Sequence, residues 1–119
     1  MIRFLTLGLL FVGQTALAQT PTSLGSGAVL RGLDKVSGQS SDITLTAGQA
    51  ARFGRLTVVL RECRFPQDNQ SGDAYASIEI NEAGKDEAVF DGWMIASAPA
   101  LSAVDHARYD VWVLRCTTS

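Results

Sequence analysis

Through most of its length this chain alternates between apolar and polar residues. Ile43 and Leu45 share one side of Asp42–Thr46, and Leu56, Val58 and Leu60 do the same within Arg55–Cys63. Within Ala74–Asn81, Ile78 and Ile80 oppose Tyr75, Ser77 and Glu79. A period of two marks half-buried β-strands, because successive side chains of an extended chain point to opposite faces. Ala28–Leu33, Ala50–Phe53, Ala88–Met94 and Tyr109–Cys116 complete a set of about seven short runs. Turn formers separate them: Ser37–Ser41, Ala47–Gln49, the long polar Pro66–Asp73 and the charged Glu82–Glu87. Helical periodicity is almost absent. About seven strands in about 100 residues predict an all-β domain, a small antiparallel β-sandwich or barrel.

One segment breaks this rhythm. Ser97–His106 joins the last two strands with Pro99 near its start, and Leu101 and Val104 stand three apart. The pattern predicts a short helical crossover capped by Ser97, with Leu101 and Val104 on one face. The strand that follows is unusual. Asp110, Trp112, Leu114 and Cys116 alternate with Tyr109, Val111, Val113 and Arg115, so its middle is apolar on both faces. A strand with one face in water would not be. Its second face must be covered, either by the Pro99–Val104 crossover folding back or by a partner.

The first eighteen residues follow a different plan. Arg3 precedes the apolar stretch Phe4–Val12, interrupted only by Thr6 and Gly8, and Ala16-Leu17-Ala18 makes a small-x-small site ahead of Gln19. That is the layout of a secretory signal peptide cleaved after Ala18. It falls short of the ~20 apolar residues of a membrane span. The expected organisation is a signal peptide at 1–18, a polar, flexible lead-in at 19–27 and a single β-domain at 28–117, exported to the periplasm. The mature chain is expected to carry no transmembrane segment, and no Cys follows the apolar stretch to accept a lipid anchor.

Once Arg3 leaves with the leader, nine Lys and Arg face twelve Asp and Glu, a net charge of about −3. The cations are scattered, so nothing supplies the basic surface that nucleic acid needs. Cys63 and Cys116 are an even pair in a compartment that permits disulfides, and no C-x-x-C spacing points to redox chemistry. A Cys63–Cys116 bridge would close a loop of about 50 residues and stabilise the domain by about 4 kcal/mol on the chain-entropy account.

Candidate chemistry is confined to one stretch. Trp93, Met94, Pro99, Leu101, His106, Tyr109 and Trp112 fall within twenty residues, with both tryptophans and the single histidine among them. Trp and Tyr concentrate at binding surfaces, so this cluster is the candidate interaction surface. His106 with Asp105 and Asp110 lacks a metal-ligand spacing, and a Ser97 or Ser102 triad with His106 and Asp110 lacks a nucleophile elbow. The more economical reading has His106 bonded to local backbone. No catalytic residue, metal or cofactor is assigned.

Several segments also carry a resemblance: Val29–Gly38, Phe53–Leu56, Phe90–Met94, Ser97–Ser102, and His106 with Tyr109–Leu114 and Cys116. From Ala28 to Cys116 the chain resembles a family of small exported alphaproteobacterial proteins described as a domain of unknown function. The G-W-M…P-x-L-S…H-x-x-Y-D-x-W run is the most specific part. Departures lie in the loops around Pro66–Asp73 and Asn81–Glu87. The resemblance implies a place in the envelope, with an inner-membrane complex as a candidate association, and no activity or cofactor. The expected function is a protein-binding or structural module with an envelope or inner-membrane protein partner. A small hydrolase or metal enzyme centred on His106, and a glycan- or peptidoglycan-binding module, are the alternatives.

Overall fold

A computed structural model describes residues 21–119 together with Gly8; the expected signal peptide and the start of the lead-in otherwise lie outside the described residues. The eight strands are β1 (Thr22–Leu24), β2 (Gly27–Asp34), β3 (Ser40–Thr46), β4 (Ala50–Phe53), β5 (Leu56–Pro66), β6 (Tyr75–Glu82), β7 (Phe90–Ile95) and β8 (Tyr109–Thr117). They form two antiparallel sheets. In one, β5, β6 and β7 lie side by side, and β4 and β1 share the free edge of β5. In the other, β2 is flanked by β3 and β8. Among the described residues the sheets do not pair with each other, so the sandwich form of the prediction holds and the barrel form does not.

The inward residues are those the alternation marks. Leu56, Val58 and Leu60 of β5, Ile78 and Ile80 of β6, and Leu30 of β2 are all fully buried, and Val111 and Val113 of β8 nearly so. Each such side chain contributes about 1.5–3 kcal/mol of transfer free energy when fully buried. The seven expected strands are all present, with ends displaced by a few residues.

The eighth strand lies in the segment expected to be a flexible lead-in. Thr22–Leu24 pairs with Arg64–Pro66 at the edge of β5, and Gly27 already belongs to β2. Three polar-leaning residues carry no readable period; the partner strand, more than forty residues away, supplies their structure.

Two irregularities set the geometry of the core. In β5 the register with β6 shifts between Leu60 and Glu62, making Arg61 an extra, exposed residue. In β8 the register with β2 jumps from Val113 to Arg115, making Leu114 the extra residue. A bulge inserts one residue and so exchanges the faces of everything beyond it. Were β5 regular through Arg61, with no bulge, Cys63 would point outward with Val59. Were β8 regular through Leu114, with no bulge, Cys116 would point outward with Trp112, the face the plain alternation assigns it. With both bulges, Cys63 and Cys116 turn inward and form a disulfide between the two sheets, Cα–Cα 5.6 Å. Gly25 lies against this bridge: a Cβ there would come within 2.9 Å of the Thr117 carbonyl oxygen and 3.1 Å of Cys116 Cβ. The Gly25 N–H donates to the Cys63 carbonyl at 2.8 Å, tying the start of the fold to the same point.

Replacing both cysteines with alanine is expected to lower the unfolding free energy by about 4 kcal/mol in urea titration. Deleting Arg61 removes the bulge but leaves Cys63 two residues beyond Leu60, on the inward parity, so the disulfide is expected to persist, read as no alkylatable cysteine by mass spectrometry.

Candidate functional site

The crossover between β7 and β8 is held at both ends. Its helical part is a single 3-10 turn, Pro99–Ser102, capped by Ala98 without a side-chain hydrogen bond. Ser97 is not the cap, contrary to the sequence pattern. Its N–H donates to Asp73 Oδ1 at 2.9 Å and its hydroxyl to Asp73 Oδ2, which ties the crossover to the loop before β6. Ser102 Oγ donates to the Trp93 carbonyl at 2.7 Å, seating the turn on the free edge of β7. After Ser102 the chain is extended, so Leu101 and Val104 do not share a face as a longer helix would require. Val104 is buried in the core, whereas Leu101 is 77% exposed.

The far end is a polar clamp. His106 Nδ1 accepts the backbone N–H of Arg108 at 3.0 Å and of Tyr109 at 3.1 Å. Its Nε2–H donates to Glu82 Oε1 at 3.1 Å. Lys35 Nζ donates to the His106 carbonyl at 2.6 Å, and the Lys35 N–H to the Arg108 carbonyl at 2.7 Å. Arg108 Nη2 meets Asp34 Oδ2 at 2.9 Å, with Nε donating to the same carboxylate. The hydrogen bonds from Arg108, followed by those from the Ser37 and Val36 N–H groups, hold the Asp34 carboxyl at about 2 against the usual 3.8. The His106 hydrogen bond likewise lowers the Glu82 carboxyl.

Both imidazole nitrogens are therefore engaged, and the Nδ1 lone pair faces two backbone donors rather than a substrate or a metal. Ser97 and Ser102 are bonded elsewhere, so neither forms a triad with His106. Among the described residues no group of three or more His, Cys, Asp and Glu is placed to hold a metal ion. Glu82, Asp34 and Arg108 are the partners that sequence reasoning missed. They lie up to 74 residues apart in sequence, and no local pattern relates them.

The structure divides the predicted surface. Met94 is 2% and Tyr109 4% exposed, so both belong to the core and are removed from the surface. Their inward parity on β7 and β8 decides this: Met94 lies across from Ala76, and Tyr109 is on the side of Val111 and Val113. His106 belongs to the clamp. Trp93, Pro99, Leu101 and Trp112 remain accessible. Trp112 is half-buried on the outer side of β8, where it lines a groove of about 390 Å³ with Pro99, Ala100, Ala103 and Asp110. The crossover thus stands beside the end of the outer face of β8 and leaves a trough there.

Trp93 faces outward on the other sheet, 46% exposed. Two cross-strand rows bring it company. One runs Glu62–Ser77–Trp93, the next Leu24–Arg64–Tyr75–Ile95. Ser77 is only 7% exposed between its large neighbours, while Leu24 is 60% exposed. The outward parity of Tyr75 was legible in its alternation with Ile78 and Ile80; Leu24 was not, because its strand was not. The charges on this face are paired, Arg61 with Asp91 at 2.7 Å and Arg64 with Glu62 at 3.2 Å.

A bacterial family profile, described as an uncharacterized protein conserved in bacteria (DUF2155), matches residues 28–116. A relative from Rickettsia prowazekii (strain Madrid E), the uncharacterized protein RP359, is 32% identical over 87 residues, which cover 71% of this chain and 56% of the relative. The matched region thus spans a little over half the length of that curated relative. No solved structure matches the chain.

His106→Ala is expected to lower the unfolding free energy by about 1–3 kcal/mol, since it orphans two backbone donors. Asp34 has a lowered carboxyl pKa, so its contribution to stability is complete above the ordinary value of 3.8 and is lost as pH falls toward about 2. The difference in melting temperature between the wild type and Asp34→Asn is expected to close over that interval, measured by circular dichroism.

Proposed function

We propose that this chain, which belongs to that family of uncharacterized bacterial proteins, is an exported binding module that docks a protein of the cell envelope through the crossover and the adjoining sheet face. The observation that carries the reading is the exposure of Leu101, on a crossover fixed at both ends, and of Trp93 on the adjoining strand β7. Ser102 and Val104 pin the turn, and the His106 clamp holds the segment after it. Large apolar side chains held out on a rigid support forgo burial within the domain. They bind without the ordering cost of a flexible loop. Leu24, Tyr75 and Ile95 extend the apolar area beside Trp93, and the paired charges around it form the polar rim usual at interfaces.

The leader pattern and the inter-sheet disulfide support an extracytoplasmic location. No described helix is long and apolar enough to cross a membrane. Engagement of both His106 nitrogens favours contact over chemistry at that residue. The partner in this reading is a protein at the periplasmic face of the inner membrane.

Pull-down from solubilised membranes tests the reading with Trp93→Ala and Leu101→Ser. Both positions are exposed enough that stability should change by less than about 0.5–1 kcal/mol. The expected result is a wild-type partner lost from both folded variants. Retention of every partner by both variants overturns the surface.

A further inference from the structure

Three segments left out of the docking surface meet at one end of the sandwich. They are the Gly32–Asp34 end of β2 with the turn after it, the β4–β5 turn at Phe53–Gly54, and the start of β8 at Arg108–Tyr109. Together they line a cavity of about 380 Å³. Its floor is aromatic: the Phe53 and Tyr109 rings meet edge to face, centroids 5.6 Å apart. Two glycines make room for that pair. A Cβ on Gly32 would fall 2.7 Å from the Phe53 ring, and one on Gly54 would fall 2.5 Å from the Tyr109 hydroxyl. Gly54 also has φ +57°, a left-handed conformation that glycine adopts without strain.

The polar groups at the rim are poised but unspent. Tyr109 is 4% exposed, yet its hydroxyl makes no hydrogen bond among the described residues. No buried polar side-chain atom is left unpaired among them, so that hydroxyl keeps contact with solvent, and Tyr109 is one of the residues lining the cavity. Ser40 and Ser41 stand across the β2–β3 ladder from Leu33 and Gly32, with exposed hydroxyls. The Gln39 amide also lines the cavity. Arg108 directs Nε and Nη2 at Asp34 and keeps Nη1 unspent among the described residues. Its guanidinium carbon lies 5.3 Å from the Tyr109 ring centre.

We propose that this cavity is a binding site for a single pyranose sugar unit. The charge within it is already balanced by the Asp34–Arg108 pair, so an incoming carboxylate or phosphate would meet Asp34 as well as Arg108. A neutral ligand bearing many hydroxyls meets no such opposition. It can donate to and accept from Gln39, Ser40, Ser41 and Tyr109, while its C–H face lies on the exposed part of Phe53. The volume is near the lower end of the usual range for small-molecule sites, about 300–1,000 Å³, which suits one ring rather than an extended chain. The site shares no residue with the docking surface, so the two readings stand or fall separately.

The test is a titration of the folded, disulfide-bonded domain by ¹H–¹⁵N NMR with glucose and with N-acetylglucosamine, using succinate as the anionic comparison. The expected result is saturable shifts of the Ser41, Gly54 and Tyr109 amides with at least one sugar. Binding should be about fivefold weaker in Tyr109→Phe and in Ser41→Ala, the loss of one hydrogen bond. Ser41 is exposed, so its variant keeps the fold whatever happens at Tyr109. Absence of localised shifts with both sugars overturns the proposal. So does succinate moving these amides while the sugars do not, or unchanged sugar affinity in both variants.

Discussion

The disulfide between Cys63 and Cys116 is the constraint around which the rest of the sandwich is arranged. It joins β5 of one sheet to β8 of the other, and both cysteines must face inward to meet. Neither would do so on the parity of its own strand. Leu56, Val58 and Leu60 set the inward positions of β5, and Tyr109, Val111 and Val113 those of β8. Each cysteine is an odd step away. One extra residue per strand, Arg61 and Leu114, reconciles the two requirements. Each bulge costs a local break in a ladder, and the bridge closes about 50 residues of chain in return. The N-terminal strand is secured at the same point, since Gly25 packs on the bridge and bonds to the Cys63 carbonyl.

The end of the crossover next to β8 relies on a set of polar contacts. Asp34, Lys35, Glu82, His106 and Arg108 come from β2, the turn after it, β6 and the segment before β8, and they close that corner with hydrogen bonds and ion pairs. Exposed ion pairs of this kind are individually weak. Their value here is geometric. They hold the chain on either side of Ala107 so that the crossover cannot swing away from β7, and they leave Leu101 and Trp93 displayed on a firm base. The same Asp34–Arg108 pair balances the charge of the cavity floored by Phe53 and Tyr109, so one set of contacts shapes two separate surfaces.

Much of the fold was legible because alternation is a local property. Leu56-Val58-Leu60 and Ile78–Ile80 declare strands without reference to any partner, and so did the other expected runs. Thr22–Leu24 did not, since its only structural reason is the free edge of β5 at Arg64–Pro66. The surface was legible in part. Of the cluster from Trp93 to Trp112, Trp93, Pro99, Leu101 and Trp112 are accessible to solvent. Met94 and Tyr109 were misplaced because an apolar residue near a binding segment has the same composition whether it faces out or in. The Ser97 cap and the shared face of Leu101 and Val104 failed for a related reason. Asp73 and the core compete for those side chains, and a single 3-10 turn leaves too little helix to hold them.

The sequence by itself determined the all-β class, the seven main strands, the pairing of the two cysteines and the segment where aromatic residues gather. Each follows from local periodicity or from a count, which need no knowledge of what lies across the fold. The tertiary structure alone decided that Cys63 and Cys116 face inward, that the lead-in is a strand, and that His106 is tied to Glu82 and its own backbone. It also decided which aromatic residues reach solvent. Those outcomes depend on register between strands distant in sequence, and a shift of one residue there reverses every face beyond it.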